Sequence, residues 1–407
     1  MKQIKEKLKK YFQLFLGLCI LSVLMGSASA LFLKVLEQVP ILRKQWHFFP
    51  YLLPILAILF LYIKSFWQSL SQTSTNTYIE MINGKEKKSS PLFSIYILLS
   101  TWISHLAGAS VGREGTAVQI GANLAEEIST KFKLSKENKI LLIRSGIAAG
   151  FGSVFGTPWA GAVFGLEINE FGKYSWKSIL PCIFSSFVSN WISLHVYGTK
   201  HTLYPVIFLP EINLAFCGKL LCLGLFLAFI ARLYKALESN ITYLFELLPT
   251  QKILRGIILG TIVGILLSQA DFQSSIGLSA EKLLDPFSIN FDKSFFIKKL
   301  IATTFSLGAG FKGGEATPLF LIGSHAGAFL STFLNFPQAF AAALGFVCLY
   351  CGLTKTPITS LFLGLELFSL NITIPAVIIT LIIIYLTGNN GLFTQQKWNE
   401  KFPKPLL

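Results

Sequence analysis

Apolar runs dominate the chain and polar breaks are short. After a basic start (Lys2 to Lys10), apolar stretches cover residues 11–33, 50–66, 91–108, 140–168, 176–197, 212–231, 252–270, 300–311, 316–354 and 357–388. They are continuous and do not alternate in segments of about ten residues, as the strands of a membrane barrel would. The pattern predicts an all-α polytopic membrane protein. The links are brief and polar: Lys85-Glu86-Lys87-Lys88, Lys131 to Lys139, Lys173 to Lys177, Asp292-Lys293. None is long enough to separate two soluble domains, and no cytoplasmic regulatory domain is expected after the last apolar run.

Two apolar stretches are unusual. Ser145 to Leu166 has no charge but carries Gly146, Gly150, Gly152, Gly156, Pro158, Gly161 and Gly165. Ala316 to Thr354 also lacks Asp, Glu, Lys and Arg, and carries Pro318, Gly323, Gly327, Pro337, Gly345 and Gly352. Such punctuation breaks helices where backbone lines a cavity, or lets helices pack closely through small residues. An internal repeat favours the first reading. Gly112-Arg113-Glu114-Gly115-Thr116 is echoed, 201 residues on, by Gly313-Gly314-Glu315-Ala316-Thr317. Thr157-Pro158 to Glu167 is echoed, 199 residues on, by Thr356-Pro357 to Glu366. Two motifs in the same order predict two homologous halves, near 1–205 and 206–407. Interrupted segments in corresponding halves point to a transport site.

Composition agrees. Of the 407 residues, 53% are hydrophobic and 14% charged, with a mean hydropathy of +0.60. Soluble domains carry about 25% charged residues, so a soluble enzyme is not expected. The excess of 35 Lys and Arg over 20 Asp and Glu lies largely in links and at both ends. With Lys397, Lys401 and Lys404 near the C-terminus, both termini are expected on the cytoplasmic side of the cell membrane, which requires an even number of crossings. No basic stripe interleaved with aromatics suggests nucleic acid. Cys19, Cys182, Cys217, Cys222, Cys348 and Cys351 all lie in apolar segments and read as buried, reduced thiols; no metal or cofactor is implied. Ser27-Ala28-Ser29-Ala30 after an apolar run imitates a signal-peptide cleavage site, but the run continues through Leu33, and the small residues read as a helix–helix contact.

Glu114 is the first candidate for chemistry. It opens an apolar helix between two glycines, where free N–H groups favour an anion. A glutamate there is a tethered anion that can hold the anion site itself, or take a proton and swing away. Burial and the helix terminus act on its charge in opposite senses, a balance that suits a proton carrier. Its alternative role is a capping carboxylate. Glu315 opens the matching helix, with Thr317 as a hydroxyl cap and Pro318 in the first turn; it is either a second acid of the site or a capping acid facing water. Ser71 to Asn76 supplies hydroxyls and amides to an anion, or is a solvated loop. Glu167 and Glu366 serve a proton path or a structural pairing. Ser324-His325, with Glu315, would be needed for an intramembrane hydrolase, but neighbours on a helix do not face each other. A solute symporter lacks any signature of a spacious pocket.

These residues resemble the CLC family of chloride channels and proton-coupled anion antiporters. Gly112-Arg113-Glu114-Gly115 matches its G-K/R-E-G-P stretch, with Thr116 where most members have proline. Gly314 to Pro318 takes the place of its G-x-F-x-P stretch, and Gly161 to Glu167 and Leu363 to Glu366 resemble its later helices. Thr116, the 313–318 stretch, Thr75-Asn76-Thr77 in place of Gly-Ser-Gly-Ile-Pro, and Ile168 where chloride antiporters carry an inner glutamate all look like the fluoride-exporting branch. One departure cuts the other way: Phe393, within Thr387 to Phe393, falls near the family's anion-binding tyrosine and removes its hydroxyl, for which a ring edge would be a weak substitute. The resemblance implies inverted halves, with broken helices meeting at a central anion pathway, and a homodimer with one pathway per subunit. It implies transport of fluoride or chloride coupled to protons, with Glu114 as gate and proton carrier. Backbone N–H groups of Gly115, Thr116, Glu315 and Ala316 would line the path. Arg113 would concentrate anions, Thr75 and Asn76 would donate hydrogen bonds, and Glu315 and Thr317 would tune fluoride over chloride. Fluoride is the more strongly hydrated ion, and replacing its water requires more and closer donors.

Overall fold

The computed structural model describes residues 2–400 except His47, Thr250, Ile289 and Asn390. Lys401 and Lys404 of the basic C-terminus, and Asn390 of the Thr387 to Phe393 stretch, lie outside the described residues.

The first series of helices is α1 (Lys2–Gln45), α2 (Leu53–Phe66), α3 (Gln68–Ser71), α4 (Thr75–Ile82), α5 (Phe93–Leu106), α6 (Glu114–Lys131), α7 (Lys136–Phe155), α8 (Pro158–Glu167) and α9 (Ile179–Trp191). The second is α10 (Leu214–Glu246), α11 (Lys252–Ser268), α12 (Phe295–Gly308), α13 (Ala316–Leu334), α14 (Gln338–Thr354), α15 (Pro357–Leu367) and α16 (Thr373–Thr387). Two short strands, β1 (Glu170–Phe171) and β2 (Lys397–Trp398), pair in parallel with Glu170 opposite Lys397. Six helices among the described residues are long and apolar enough to cross a membrane. Their outer faces remain apolar: Leu214, Phe229 and Leu221 on α10 are 89%, 60% and 50% exposed. Faces of that kind are stable against lipid. Cys217 and Cys222 share this exposure, so the expectation of six buried thiols fails for them, and Cys19 is only half-buried.

The glycines divide between the two expected roles. Breaks occur where a residue enters the left-handed region: Gly156 (φ +79°) ends α7 and Lys355 (φ +58°) ends α14. The next residues, Thr157 (φ −123°, ψ +77°) and Thr356 (φ −124°, ψ +72°), lie outside the helical region, and proline starts α8 and α15. Most of the other glycines lie inside helices and serve packing. A Cβ on Gly121 would lie 2.0 Å from the Gly146 carbonyl oxygen, and one on Gly323 2.1 Å from that of Gly345. Thus α6 crosses α7, and α13 crosses α14, with backbones in contact. Ser29 Oγ lies 2.6 Å from Ser153 Oγ, and a Cβ on Gly26 would lie 2.7 Å from the Ser189 carbonyl oxygen. The small residues of α1 therefore form a helix contact.

Glu167 and Glu366, at the ends of α8 and α15, cap each other's helix. Glu366 accepts from Trp159 and Ala160 N–H, both at 2.8 Å. Glu167 accepts from Ile358 N–H (2.9 Å), Thr359 N–H (2.7 Å) and Thr359 Oγ1 (2.7 Å). A carboxylate on the free N–H groups of a first turn is favourable by hydrogen bonding and by the helix dipole. The arrangement is reciprocal, as a two-fold relation between the two series requires.

Candidate functional site

The site is built by two loops that exchange hydrogen bonds. α5 and α12 end short of their partners, and residues 107–113 and 309–315 lead into α6 and α13. Both loops turn at a glycine with positive φ, Gly108 (+95°) and Gly310 (+90°). Ser110 N–H donates to Ser306 Oγ (3.0 Å), and Lys312 N–H donates to Ser104 Oγ (3.1 Å). Gly112 and Gly314 form an antiparallel bridge, with N–H to O=C distances of 2.5 and 2.8 Å. Glycine is obligatory there. A Cβ on Gly314 would stand 2.6 Å from Gly115 N, and one on Gly112 2.9 Å from Gly314 O.

This bridge corrects the repeat register by one residue. Gly112 matches Gly314, an offset of 202, and the positions just before the helices are Arg113 and Glu315. Glu315 is thus the counterpart of Arg113, and Glu114 corresponds to Ala316. The Gly-x-Glu similarity at an offset of 201 came from residue identity, whereas backbone pairing sets the true alignment.

Glu114 is fully buried and its carboxylate reaches across to the other series. Its Oε2 accepts from Thr317 N–H (3.1 Å) and Thr317 Oγ1 (2.5 Å), and its Oε1 from Arg113 Nε (3.2 Å). The acid of α6 therefore occupies the N-terminus of α13, where an anion is favoured. Thr317 does not cap its own helix; its hydroxyl is committed to Glu114. Glu315 is not a capping acid either, and accepts instead from Tyr234 Oη at 2.9 Å.

Beside this contact lies a cavity of about 70 Å³. Gly115, Gly314, Glu315 and Ala316 form the backbone side, Thr75 and Gln119 the polar side, and Phe164, Tyr350 and Phe393 the aromatic side. Thr75 starts α4 and accepts from Gln119 Nε2 at 3.3 Å, so the 71–76 link is partly a helix start at the cavity. Phe393 meets Phe164 at 60°, with centroids 6.4 Å apart. Two expected residues lie elsewhere. Thr116 is buried against α5, its Oγ1 2.9 Å from Thr101 Oγ1. Asn76 accepts from Gln395 N–H at 3.3 Å. Ser324 Oγ and His325 Nδ1 do come within 3.5 Å, but both engage the Leu321 carbonyl, and Glu315 is held by Tyr234. No nucleophile–base–acid arrangement results.

The profile of the voltage gated chloride channel family matches residues 55–388. The chain belongs to that family. It is 32% identical to a chloride/fluoride channel protein of Pseudomonas syringae pv. tomato, over 95% of this chain and 87% of the relative. It is 25% identical to the H(+)/Cl(-) exchange transporter ClcA of Vibrio campbellii over 71% of this chain and 66% of that protein. Among solved structures it is similar to a CLC-type fluoride/proton antiporter (TM-score 0.89, 27% identity, 95% of this chain and 98% of that one). The fold is also that of a slow cyanobacterial Cl-/H+ antiporter (TM-score 0.77, 20% identity, 92% and 94% covered).

Sequence reasoning missed Gln119, Phe164 and Tyr350 among the walls of this CLC cavity. Gln119 had a faint signal: it lies four residues after Gly115, on the same helical face. Tyr350 had less, as one hydroxyl in a long uncharged stretch. Its ring packs 4.8 Å from Phe320, which itself stacks on Phe346 at 4.5 Å, and this aromatic wall aligns Tyr350 only in three dimensions.

Proposed function

We propose that the protein moves fluoride across the membrane in exchange for protons, with Glu114 as gate and proton carrier. The observation that carries this reading is the Glu114 carboxylate seated on the Thr317 donors at the start of α13. A charged Glu114 fills the anion's place. When it takes a proton it loses its net charge, its hold on Thr317 weakens, and the N–H and hydroxyl become available to a halide. The released side chain then carries its proton to the other side of the barrier.

The halide reaches that point through the 70 Å³ cavity. N–H groups of Gly115, Glu315 and Ala316 and the polar groups of Thr75 and Gln119 replace its water. Aromatic edges, which carry partial positive charge, complete the shell at Phe393. Arg113 raises the local anion concentration. Glu315 is the second acid, and with Thr317 it tunes selectivity. Thr116 and Asn76 hold the neighbouring elements in place. Fluoride is favoured by closely spaced donors, by the 27% identity to a CLC-type fluoride/proton antiporter, and by the chloride/fluoride channel name of the Pseudomonas relative. A chloride/proton antiporter is the second reading, favoured by the ClcA relative.

The protein acts as a homodimer in the cell membrane with both termini cytoplasmic. Residues 1–205 and 206–407 are its inverted halves. Liposome flux of each halide, recorded together with pH, tests the function. Fluoride flux should exceed chloride flux and move protons in the opposite direction. Glu114→Gln should abolish the proton movement. Chloride flux equal to fluoride flux rejects the fluoride reading, and intact coupling in the variant rejects the gate.

A further inference from the structure

Polar side chains of α10 lie between the central cavity and a second recess. Glu315 stands at the cavity end, half-buried, with its carboxylate on Tyr234 Oη at 2.9 Å. Tyr234 is completely buried. Glu238 follows one turn later on α10, so the two side chains are neighbours on one face. Glu238 is ion-paired with Lys235 at 2.5 Å, and their side chains are 24% and 21% exposed. Lys235 in turn lines a recess of about 330 Å³ with Arg232, Ser239 and Thr387. The charges of Glu238 and Lys235 are both near enough to act on Glu315. From α14, Tyr350 lines the cavity beside Glu315, and Lys355 Nζ bonds Thr387 at 2.6 Å behind the recess.

A buried tyrosine between two acids, with one acid on the halide cavity and the other partly exposed, is more than packing needs. A phenylalanine would fill the same space without a hydroxyl to satisfy. We propose that Glu238 is the port, and Tyr234 the relay, of a proton route to Glu315 that enters through α10 and is separate from the halide path. The inference rests on the proton-coupled reading above.

The step balances without any charged tyrosine. Protonated Glu238 gives up its O–H proton, through one bridging water, to a lone pair of Tyr234 Oη. In the same step the Tyr234 hydroxyl passes its own proton to Glu315 Oε2. Glu238 is left as a carboxylate beside Lys235, Glu315 becomes a neutral acid, and Tyr234 stays neutral. Rotation of the hydroxyl restores the starting arrangement. Lys235 positions the Glu238 carboxylate. A neutral Glu315 also ceases to oppose a halide in the cavity it lines, so proton arrival there favours anion entry.

Simultaneous recording of fluoride and proton fluxes from liposomes holding the full chain tests the route. Wild type should couple the two. Tyr234→Phe and Glu238→Gln should each lower the proton-to-fluoride ratio at least tenfold, and Glu238→Asp should recover at least half of it. Tyr234→Phe removes only a hydroxyl, and the Glu238 side chain is 24% exposed; should the first variant fail to fold, the second decides. Variants that keep the wild-type ratio overturn the route and leave proton-coupled transport standing. A wild type that moves fluoride without protons overturns both.

Discussion

Removing the Glu167 carboxylate separates a structural cap from a proton path. The side chain is 1% exposed and receives three hydrogen bonds from the first turn of α15, with a fourth from Tyr174 Oη at 3.2 Å. Hydrogen bonds to charged groups contribute about 1.5–3 kcal/mol each, and Ala at a cap costs about 0.5–2 kcal/mol. Because the bonds share one carboxylate and are not additive, Glu167→Ala should cost about 3–5 kcal/mol. A shift of about 2 °C per kcal/mol, the lower end for mid-sized domains, gives an apparent melting temperature lowered by about 6–10 °C. Glu366→Ala leaves two N–H groups without their acceptor and should cost about half as much. The assay is thermal unfolding of the detergent-solubilised protein at a fixed scan rate, since membrane proteins unfold irreversibly. Gln keeps an acceptor oxygen, so Glu167→Gln should recover much of the loss and leave the proton-to-halide ratio unchanged. The cap reading is refuted if Glu167→Ala melts like wild type, or if Glu167→Gln is stable but uncoupled.

Three further expectations concern the crossing and the cavity. Gly314→Ala places a Cβ 2.6 Å from Gly115 N, against backbone that cannot yield, and should reduce halide flux at least tenfold; Gly218→Ala, where a Cβ meets nothing within 4 Å, should leave flux unchanged in the same assay. Tyr350→Phe removes a hydroxyl from the cavity residues and should weaken apparent halide affinity at least fivefold, read from the concentration dependence of flux, because hydrogen bonds to a charged partner are among the stronger ones. Ser324→Ala should change flux less than twofold, since that hydroxyl is spent on the Leu321 carbonyl.

Membrane class, helix content and the central motif were legible in the chain because each has a local cause. A run of apolar residues must bury its backbone polar groups in helices, whatever packs beside it. Glycines flanking a glutamate at a helix start announce close approach and an anion-favouring terminus before any partner is known. The same local view could not tell a helix break from a helix crossing. At Gly156 the chain turns, and at Gly146 it meets Gly121 of α6; only the position of the second helix distinguishes them. It also set the repeat one residue out, pairing Glu315 with Glu114, because identity of side chains weighed more than the hydrogen-bond register that joins Gly112 to Gly314.

The sequence by itself determined that this protein is a bundle of broken membrane helices in two related series, with a protonatable acid at an interrupted helix start. Tertiary structure alone decided where that acid goes, which is onto Thr317 of the other series, and that Gln119 and Tyr350 join the cavity while Thr116 and Asn76 turn away from it. The physical reason is range. Helix formation and backbone satisfaction act within a few residues along the chain, whereas a carboxylate finds its donors 203 residues away, and a cavity its walls, through contacts that no local pattern encodes.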